Sequence, residues 1–121
     1  MGWVEQTRWV RVDDPRVQAL PDNGLWRATI RERRVVFVRT RGALHALADV
    51  CPHQGKDFAD GWCEEGFLVC PWHRMQFDPA TGRNRYGMTG NMGTFPLEQR
   101  ADGLYIGFER TVFSLFGIDL W

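Results

Sequence analysis

Two short stretches of the chain carry residue types that could bind a metal. One reads Cys-Pro-His and begins at Cys51, and the other reads Cys-Pro-Trp-His and begins at Cys70. Sixteen residues separate His53 from Cys70, enough for a strand to leave the first stretch and return beside the second. Two thiolates and two imidazoles that converge, from Cys51, His53, Cys70 and His73, suit either a zinc ion or an iron–sulfur centre.

The spacing of these residues favours an iron–sulfur centre over an ordinary zinc finger. A single residue lies between Cys51 and His53, which is tighter than the usual spacing of zinc ligands. The two histidines also belong to separate stretches rather than to successive turns of one helix. A zinc-binding interaction module, colourless and redox-silent, is the alternative that the residues leave open.

Short strands separated by turn residues must position the two stretches. The turns recur at intervals of about 8–12 residues, which is typical of a small antiparallel sandwich or barrel. The expected strands cover residues 9–12, 25–30, 35–38, 43–49, 67–69, 95–100 and 104–108. One helical turn through Leu20 is expected after Asp14-Pro15, because Asp is a preferred N-cap and Pro suits the first helical position. The pattern predicts an all-β protein with at most one short helix.

Two long irregular loops, about 50–61 and 70–94, project from this framework, and each contains one of the metal-binding stretches. Both loops are rich in Gly, Pro, Asp and Asn. Long loops in a small domain are usually functional or disordered, and the aromatic content of these two argues against disorder.

The order C-x-H, sixteen residues, C-x-x-H resembles the Rieske family. Pro follows each Cys, Gly55 follows the first His, and Phe-Asp-Pro-Ala-Thr-Gly occupies 77–82, as in that family. The likeness extends from about Trp9 to Phe108, because the expected strand order also matches small Rieske ferredoxins. The resemblance implies a Rieske-like β-sandwich or barrel whose two loops hold a 2Fe–2S cluster.

The resemblance also implies a role for each ligand. Cys51 and Cys70 would hold the inner iron, while His53 and His73 would hold the outer iron through ring nitrogens near the surface. Two neutral ligands in place of thiolates favour the reduced state and raise the potential above that of all-Cys ferredoxins.

Four positions indicate the low-potential branch of this family. Respiratory Rieske proteins carry an extra disulfide where this chain has Lys56 and Trp72, and hydroxyl donors where it has Met75 and Phe77. Since fewer hydrogen bonds to sulfur disfavour the added electron, we expect a midpoint potential of about −150 mV.

Two departures from the family pattern affect the surroundings of the cluster. Arg74 follows the second His where a Gly is common, and the third loop at 86–93 contains no Pro. The cover over the cluster is then either looser or supplied by Met88 and Met92 as an apolar lid, and packing is the favoured role for both residues. Trp72 either shields the cluster or forms a docking aromatic, and packing with partial exposure is the favoured interpretation.

Three further features are expected to lie outside the ligand set. We expect His45 to be a surface or half-buried structural residue and Cys63 to be a buried small apolar side chain. The charged residues that flank the predicted cluster either form a solvated turn or a basic rim that steers an acidic partner. They are Lys56, Arg74, Arg83 and Arg85.

The bulk properties of the chain exclude several function classes. Its 15 basic and 15 acidic residues give a formal charge of zero, which offers no general attraction to nucleic acid or an anionic membrane. No apolar run is long enough to span a membrane. The three cysteines and a start without a signal-peptide pattern lead us to expect a cytoplasmic protein.

The favoured function is a soluble one-electron carrier rather than an enzyme, because no second metal motif is visible for an oxygenase site. Its expected partners are a flavin-dependent NAD(P)H ferredoxin reductase and a terminal oxygenase. The alternative is a small Rieske subunit of a larger oxidoreductase such as a nitrite reductase. We expect one domain over 1–121 and a monomer, although the apolar tail at 111–121 must pack on its own domain or form an interface.

Overall fold

The structure is a computed structural model of the whole chain. It describes residues 2–51, 61–71, 74–87, 90–115 and 118–119, and side chains within 6–51, 61–71, 74–87 and 90–109. Several predicted features therefore lie outside the described residues, namely His53, Gly55, Lys56, Trp72, His73 and Met88.

The described elements are eleven strands and one helix, which confirms the predicted all-β class. In chain order they are β1 (Gly2–Val12), α1 (Pro15–Gln18), β2 (Leu25–Ile30), β3 (Arg33–Thr40), β4 (Ala43–Ala48), β5 (Trp62–Glu64), β6 (Phe67–Val69), β7 (Gln76–Phe77), β8 (Thr94–Phe95), β9 (Leu97–Arg100), β10 (Gly103–Leu115) and β11 (Ile118–Asp119). No helix in the described ranges is long and apolar enough to cross a membrane.

The single short helix begins as predicted. The Asp14 carboxylate accepts a hydrogen bond from the backbone N–H of Arg16 at 3.0 Å, and Pro15 occupies the first helical position. These two features satisfy one of the free N–H groups of the first turn and remove another.

The strands form three antiparallel sheets. Sheet A has the order β1-β10-β11, with β9 also paired to β10, and sheet B has the order β2-β3-β4-β8. Sheet C is a small meander of β5-β6-β7. The second metal-binding stretch, which begins at Cys70, connects β6 to β7 of sheet C.

Strand β3 is buried on both faces, since successive side chains of a strand point to opposite sides. Val35 and Phe37 belong to one core, and Val36 and Val38 belong to another. The sandwich core consists of Val10, Val12, Val17, Val35, Phe37, Ala46, Leu104, Ile106 and Phe108. The loop-side core consists of Val36, Val38, Leu47, Cys51, Leu68, Cys70, Phe77 and Met92.

Three hairpins turn through two residues that both have positive φ. The turns at Arg41-Gly42 and Glu65-Gly66 place Gly second, with φ of 80° and 85°. The turn at Arg31-Glu32 has φ of 50° and 69° and contains no Gly. Such turns match the right-handed twist of a hairpin and normally use Gly or Asn.

The structure corrects the sequence-based prediction in three places. Strand β5 lies where no strand was predicted and β7 lies within the predicted loop at 70–94, because three and two residues are too few to show a period. Pro96 divides the predicted strand at 95–100 into β8 and β9. Strand β10 continues to residue 115, and its residues 111–114 pair with the start of β1, so the first part of the apolar tail is a strand.

Candidate metal centre

Cys51 and Cys70 are 19 positions apart in sequence but lie in the same core. Both side chains are fully buried in the loop-side core, where they pack with Leu68, Phe77 and Met92. Neither forms a disulfide. The structure thus brings together the two predicted ligands that it describes.

The backbone before Cys51 is held on both sides as it leaves β4. The N–H of Ala48 donates to the carbonyl of Gly93 at 2.9 Å, and the N–H of Asp49 donates to the carbonyl of Arg34 at 3.1 Å. The first metal-binding stretch therefore starts from a fixed point at the end of β4.

A buried ion pair also holds the chain in place just before Cys51. The carboxylate of Asp49 is 3% exposed and accepts a hydrogen bond from Nε of Arg27 at 2.7 Å. A buried carboxylate needs such a partner, because an unpaired charge is costly to remove from water. The pair ties β2 to the chain two residues before Cys51.

Cys70 lies at the base of a hairpin loop. Its N–H donates to the carbonyl of Met75 at 2.8 Å, immediately beyond the β6–β7 pairs Val69–Gln76 and Leu68–Phe77. The second metal-binding stretch therefore starts and ends at a backbone hydrogen bond next to the β6–β7 pairs, and Arg74 has a positive φ of 53°.

A tight turn carries the chain from β7 to the third loop. The N–H of Gly82 donates to the carbonyl of Asp78 at 2.7 Å, and the carbonyl of Gly82 accepts from the N–H of Met92 at 2.8 Å. Gly82 has φ of 75°, and a Cβ there would lie 2.1 Å from the Met92 carbonyl oxygen. Only glycine fits this position, which holds the backbone of Met92 close to the turn, and the Met92 side chain belongs to the same core as the two thiols.

Asn84 is a site residue that the sequence analysis missed. It is 6% exposed, and its Oδ1 accepts from the N–H of Tyr86 at 2.9 Å while its own N–H donates to Oδ1 of Asn91 at 3.0 Å. Its Nδ2 also donates to Sδ of Met75 at 3.7 Å. Asn84 thus joins the second and third loops. Nothing in the sequence separates it from the other turn residues around it.

Met75 and Phe77 have the character that the sequence predicts. Phe77 is fully buried, and Met75 is partly buried with its sulfur accepting the Asn84 hydrogen bond. Neither side chain can donate a hydrogen bond to a sulfur atom. Met92 is 4% exposed and packs in the same core, consistent with the predicted apolar role.

Cys63 is less buried than Cys51 and Cys70, the two predicted ligand cysteines. It is half-buried on β5, contacts the edge of the loop-side core, and donates from Sγ to Oδ1 of Asn23 at 3.4 Å. Burial raises the pKa of the Cys63 thiol, so the neutral form is favoured. The half-buried Cys63 side chain is thus more exposed than the sequence predicts.

His45 is half-buried on β4, as expected. Partial burial lowers the pKa of His45, and the Asp78 carboxylate opposes that shift. Among the proposed rim cations, Arg74, Arg83 and Arg85 are all exposed. Arg85 also donates to Oε1 of Gln76 at 2.7 Å and stacks over Phe67 at 4.5 Å.

The two buried thiols fit an iron–sulfur cluster that is bound on the side facing the protein interior. Cysteine thiolates are the characteristic protein ligands of such clusters, and two of them here lie in one apolar core without a disulfide. The apolar neighbours also exclude water, which is one of the factors that set a cluster's potential.

The fold and the paired thiols define a small β protein with a buried cysteine pair next to long loops. Comparison with known proteins gives the family. The Rieske [2Fe-2S] domain family matches residues 8–96. This chain belongs to the Rieske [2Fe-2S] domain family, which confirms the predicted family and its 2Fe–2S cofactor.

Two relatives match most of the chain. The ferredoxin component of the alkene monooxygenase system of Xanthobacter autotrophicus is 30% identical over 107 residues, which cover 88% of each chain. The ferredoxin component of the naphthalene 1,2-dioxygenase system of Pseudomonas aeruginosa is 25% identical over 92 residues, covering 75% of this chain and 86% of the relative. These names agree with the predicted electron-transfer component.

A solved structure supports the fold. The ferredoxin of carbazole 1,9a-dioxygenase from Nocardioides aromaticivorans superposes with a TM-score of 0.67 at 19% identity. The match covers 81% of this chain and 95% of that chain. The predicted Rieske-like architecture is therefore confirmed.

Proposed function

We propose that this protein is a cytoplasmic one-electron carrier of an oxygenase system. In this proposal Cys51, His53, Cys70 and His73 hold a 2Fe–2S cluster. The protein accepts an electron from a flavin-dependent NAD(P)H reductase and delivers it to a terminal oxygenase. The observation that carries the proposal is the pair of fully buried thiols in one core, within the region matched to the family.

The chain's own residues supply the setting for electron transfer. The cluster, when bound, supplies a centre that takes up and gives back one electron. Cys51 and Cys70 hold it from the protein interior, and His53 and His73 complete the set in this proposal. Met92 and Phe77 exclude water on the buried side.

The surroundings of the thiols support a low potential. Met75 and Phe77 cannot donate a hydrogen bond to a cluster or ligand sulfur, and the Nδ2 group of Asn84 donates to Met75. Because such donors stabilise the reduced cluster, their absence at these two positions favours a midpoint potential of about −150 mV. A spectroelectrochemical titration with a one-electron Nernst slope measures it. A midpoint above roughly +100 mV would contradict this hydrogen-bond argument.

A separate experiment distinguishes a carrier from a permanent subunit. The protein is tagged at its natural expression level in its host, purified under mild conditions and passed over a size-exclusion column. A carrier elutes as a 2Fe–2S monomer of the mass of one chain. Elution in a stoichiometric complex with a larger oxidoreductase would overturn the carrier proposal and favour the small-subunit alternative.

A further inference from the structure

Three arginines surround a cavity at one end of the sandwich. The cavity has a volume of about 210 Å³ and is lined by Arg8, Val10, Arg31, Arg33 and Phe108. We call it the arginine pocket. Val10 and Phe108 are almost fully buried, so the pocket has an apolar floor and a cationic rim.

The arginines come from two facing sheets. Arg8 on β1 lies directly opposite Phe108 on β10, so both side chains lie on the inner face of sheet A. Arg33 begins β3 on the same face as Val35 and Phe37 in the sandwich core. The guanidinium carbon of Arg33 lies 5.1 Å from the centre of the Phe108 ring.

These arginines differ from the arginines on the outer face of sheet A. Arg11 pairs with Asp13 at 2.8 Å, and Arg100 pairs with Glu98 at 3.1 Å. Among the described side chains, the three pocket arginines have no carboxylate partner within ion-pair distance. Glu32, in the same turn, is exposed and forms no ion pair with them.

The backbone adds an independent observation. Arg31 and Glu32 hold φ of 50° and 69°, a conformation that costs energy for residues other than Gly. The two equivalent turns of this protein relieve that cost with Gly at the second position. Strain of this kind persists where the surrounding structure or a function requires the residue, and here it presents Arg31 to the pocket.

We propose that the arginine pocket binds a group of clustered carboxylates. Guanidinium groups bind carboxylates through paired hydrogen bonds, and an anion between the two sheets removes the repulsion among three cations. The volume is below the range of about 300–1,000 Å³ that drug-sized ligands occupy, so the pocket suits a small polycarboxylate or acidic side chains. This proposal does not depend on the carrier function.

The pocket and the first ligand stretch lie at the same end of sheet B. Arg34, adjacent to Arg33, accepts through its carbonyl the hydrogen bond from Asp49, two residues before Cys51. Carboxylates presented by another protein at the pocket would therefore bring that protein to the end of the sheet from which the first loop leaves.

Calorimetric titration of the cluster-loaded protein with citrate, at constant ionic strength, tests the proposal. Citrate should bind with one site per chain, and the double variant Arg31→Gln/Arg33→Gln should weaken that binding by about tenfold or more. The ion-paired Arg100→Gln is the matched control and should leave the affinity unchanged. Equal affinity of the wild type and the double variant, or no heat beyond that of sodium chloride, would overturn the proposal.

Two additions identify the source of the carboxylates and guard against misfolding. A hexaglutamate peptide is titrated in parallel, and tighter binding of the peptide than of citrate indicates a protein-borne ligand, whereas the reverse indicates a free one. Arg8→Gln, from the other sheet, repeats the test if the double variant does not fold. Its citrate affinity should also fall, and an unchanged affinity would contradict the pocket.

Discussion

The two cores on either side of β3 differ in the chemistry of their side chains. Among the described residues, the sandwich core contains nine buried residues, all aliphatic or aromatic, contributed by sheets A and B and by α1. The described part of the loop-side core contains eight, and two of them are the cysteines of the candidate metal centre. The first set is apolar throughout, whereas the second includes thiols, whose chemistry allows them to bind metal.

The sandwich core therefore supports the fold, whereas the loop-side core also contains the cysteines proposed to hold the cluster. Strand β3 is the shared wall, since its alternate residues enter each core. We therefore expect the sandwich core to resist loss of the cluster and the loop-side core to depend on it, because metal binding contributes directly to the stability of the site that holds it. The following variants test that contrast.

The largest effect is expected from either ligand cysteine. Cys51→Ser or Cys70→Ser should abolish the visible absorbance and the bound iron, because the serine oxygen is a harder donor than the thiolate and suits an iron–sulfur cluster less well. Cys63→Ser is the control. It should retain a full cluster, since a serine hydroxyl can still donate to Asn23. Iron analysis and visible spectra measure both, and iron loss in Cys63→Ser would mean that the ligand set is wrong.

A matched pair of phenylalanines compares the cores themselves. Phe37 and Phe77 are both fully buried, one in each core, and either Phe→Ala change should cost about 3–5 kcal/mol of unfolding free energy. Denaturant unfolding measures that cost. Only Phe77→Ala should also accelerate iron release under a chelator. Equal rates of iron release from the two variants would show that the loop-side core has no special role in holding the cluster.

Asn84 should show a smaller and more local effect. Asn84→Ala removes the hydrogen bonds to Met75 and Tyr86, and such a loss in a buried site costs about 1–3 kcal/mol. Hydrogen exchange should rise in the second and third loops and stay unchanged in β3. The exposed Gln99→Ala serves as the control. Faster exchange throughout the sandwich core would show that Asn84 supports the whole fold rather than the loops.

The smallest effect concerns pH. Burial lowers the pKa of His45, so the unfolded chain binds a proton more readily than the folded one. Its contribution to stability is therefore fully present above about pH 6.5, the pKa of an unperturbed histidine, and is lost as the pH falls through the lowered folded-state pKa. The melting temperature of His45→Gln minus that of the wild type should become more positive below pH 6. A difference in melting temperature that is constant from pH 5 to 8 would contradict the lowered pKa of His45.

The sequence predicted the regular part of the fold well. Residues 25–30 form β2 as expected, and the Asp14 cap starts the helix. It failed at β5 and β7, because strands this short are fixed by pairing with β6 rather than by their own pattern.

Within the site, the spacing of Cys51 and Cys70 was enough to predict a shared environment. The role of Asn84 was not, because it arises from side-chain contacts with Asn91 and Met75 that no local sequence pattern in this turn-rich stretch reveals. The arginine pocket was likewise invisible, since Arg8 and Arg33 lie 25 positions apart and meet only when sheets A and B face each other.

The central claim is a cluster held by two thiolates and two imidazoles. Electron paramagnetic resonance of the anaerobically purified, dithionite-reduced protein tests it most directly, with iron and zinc quantified on the same sample. We predict two irons per chain and a rhombic signal whose average g value lies below that of all-Cys ferredoxins. A silent spectrum with one zinc per chain would contradict the account and favour a zinc-binding module.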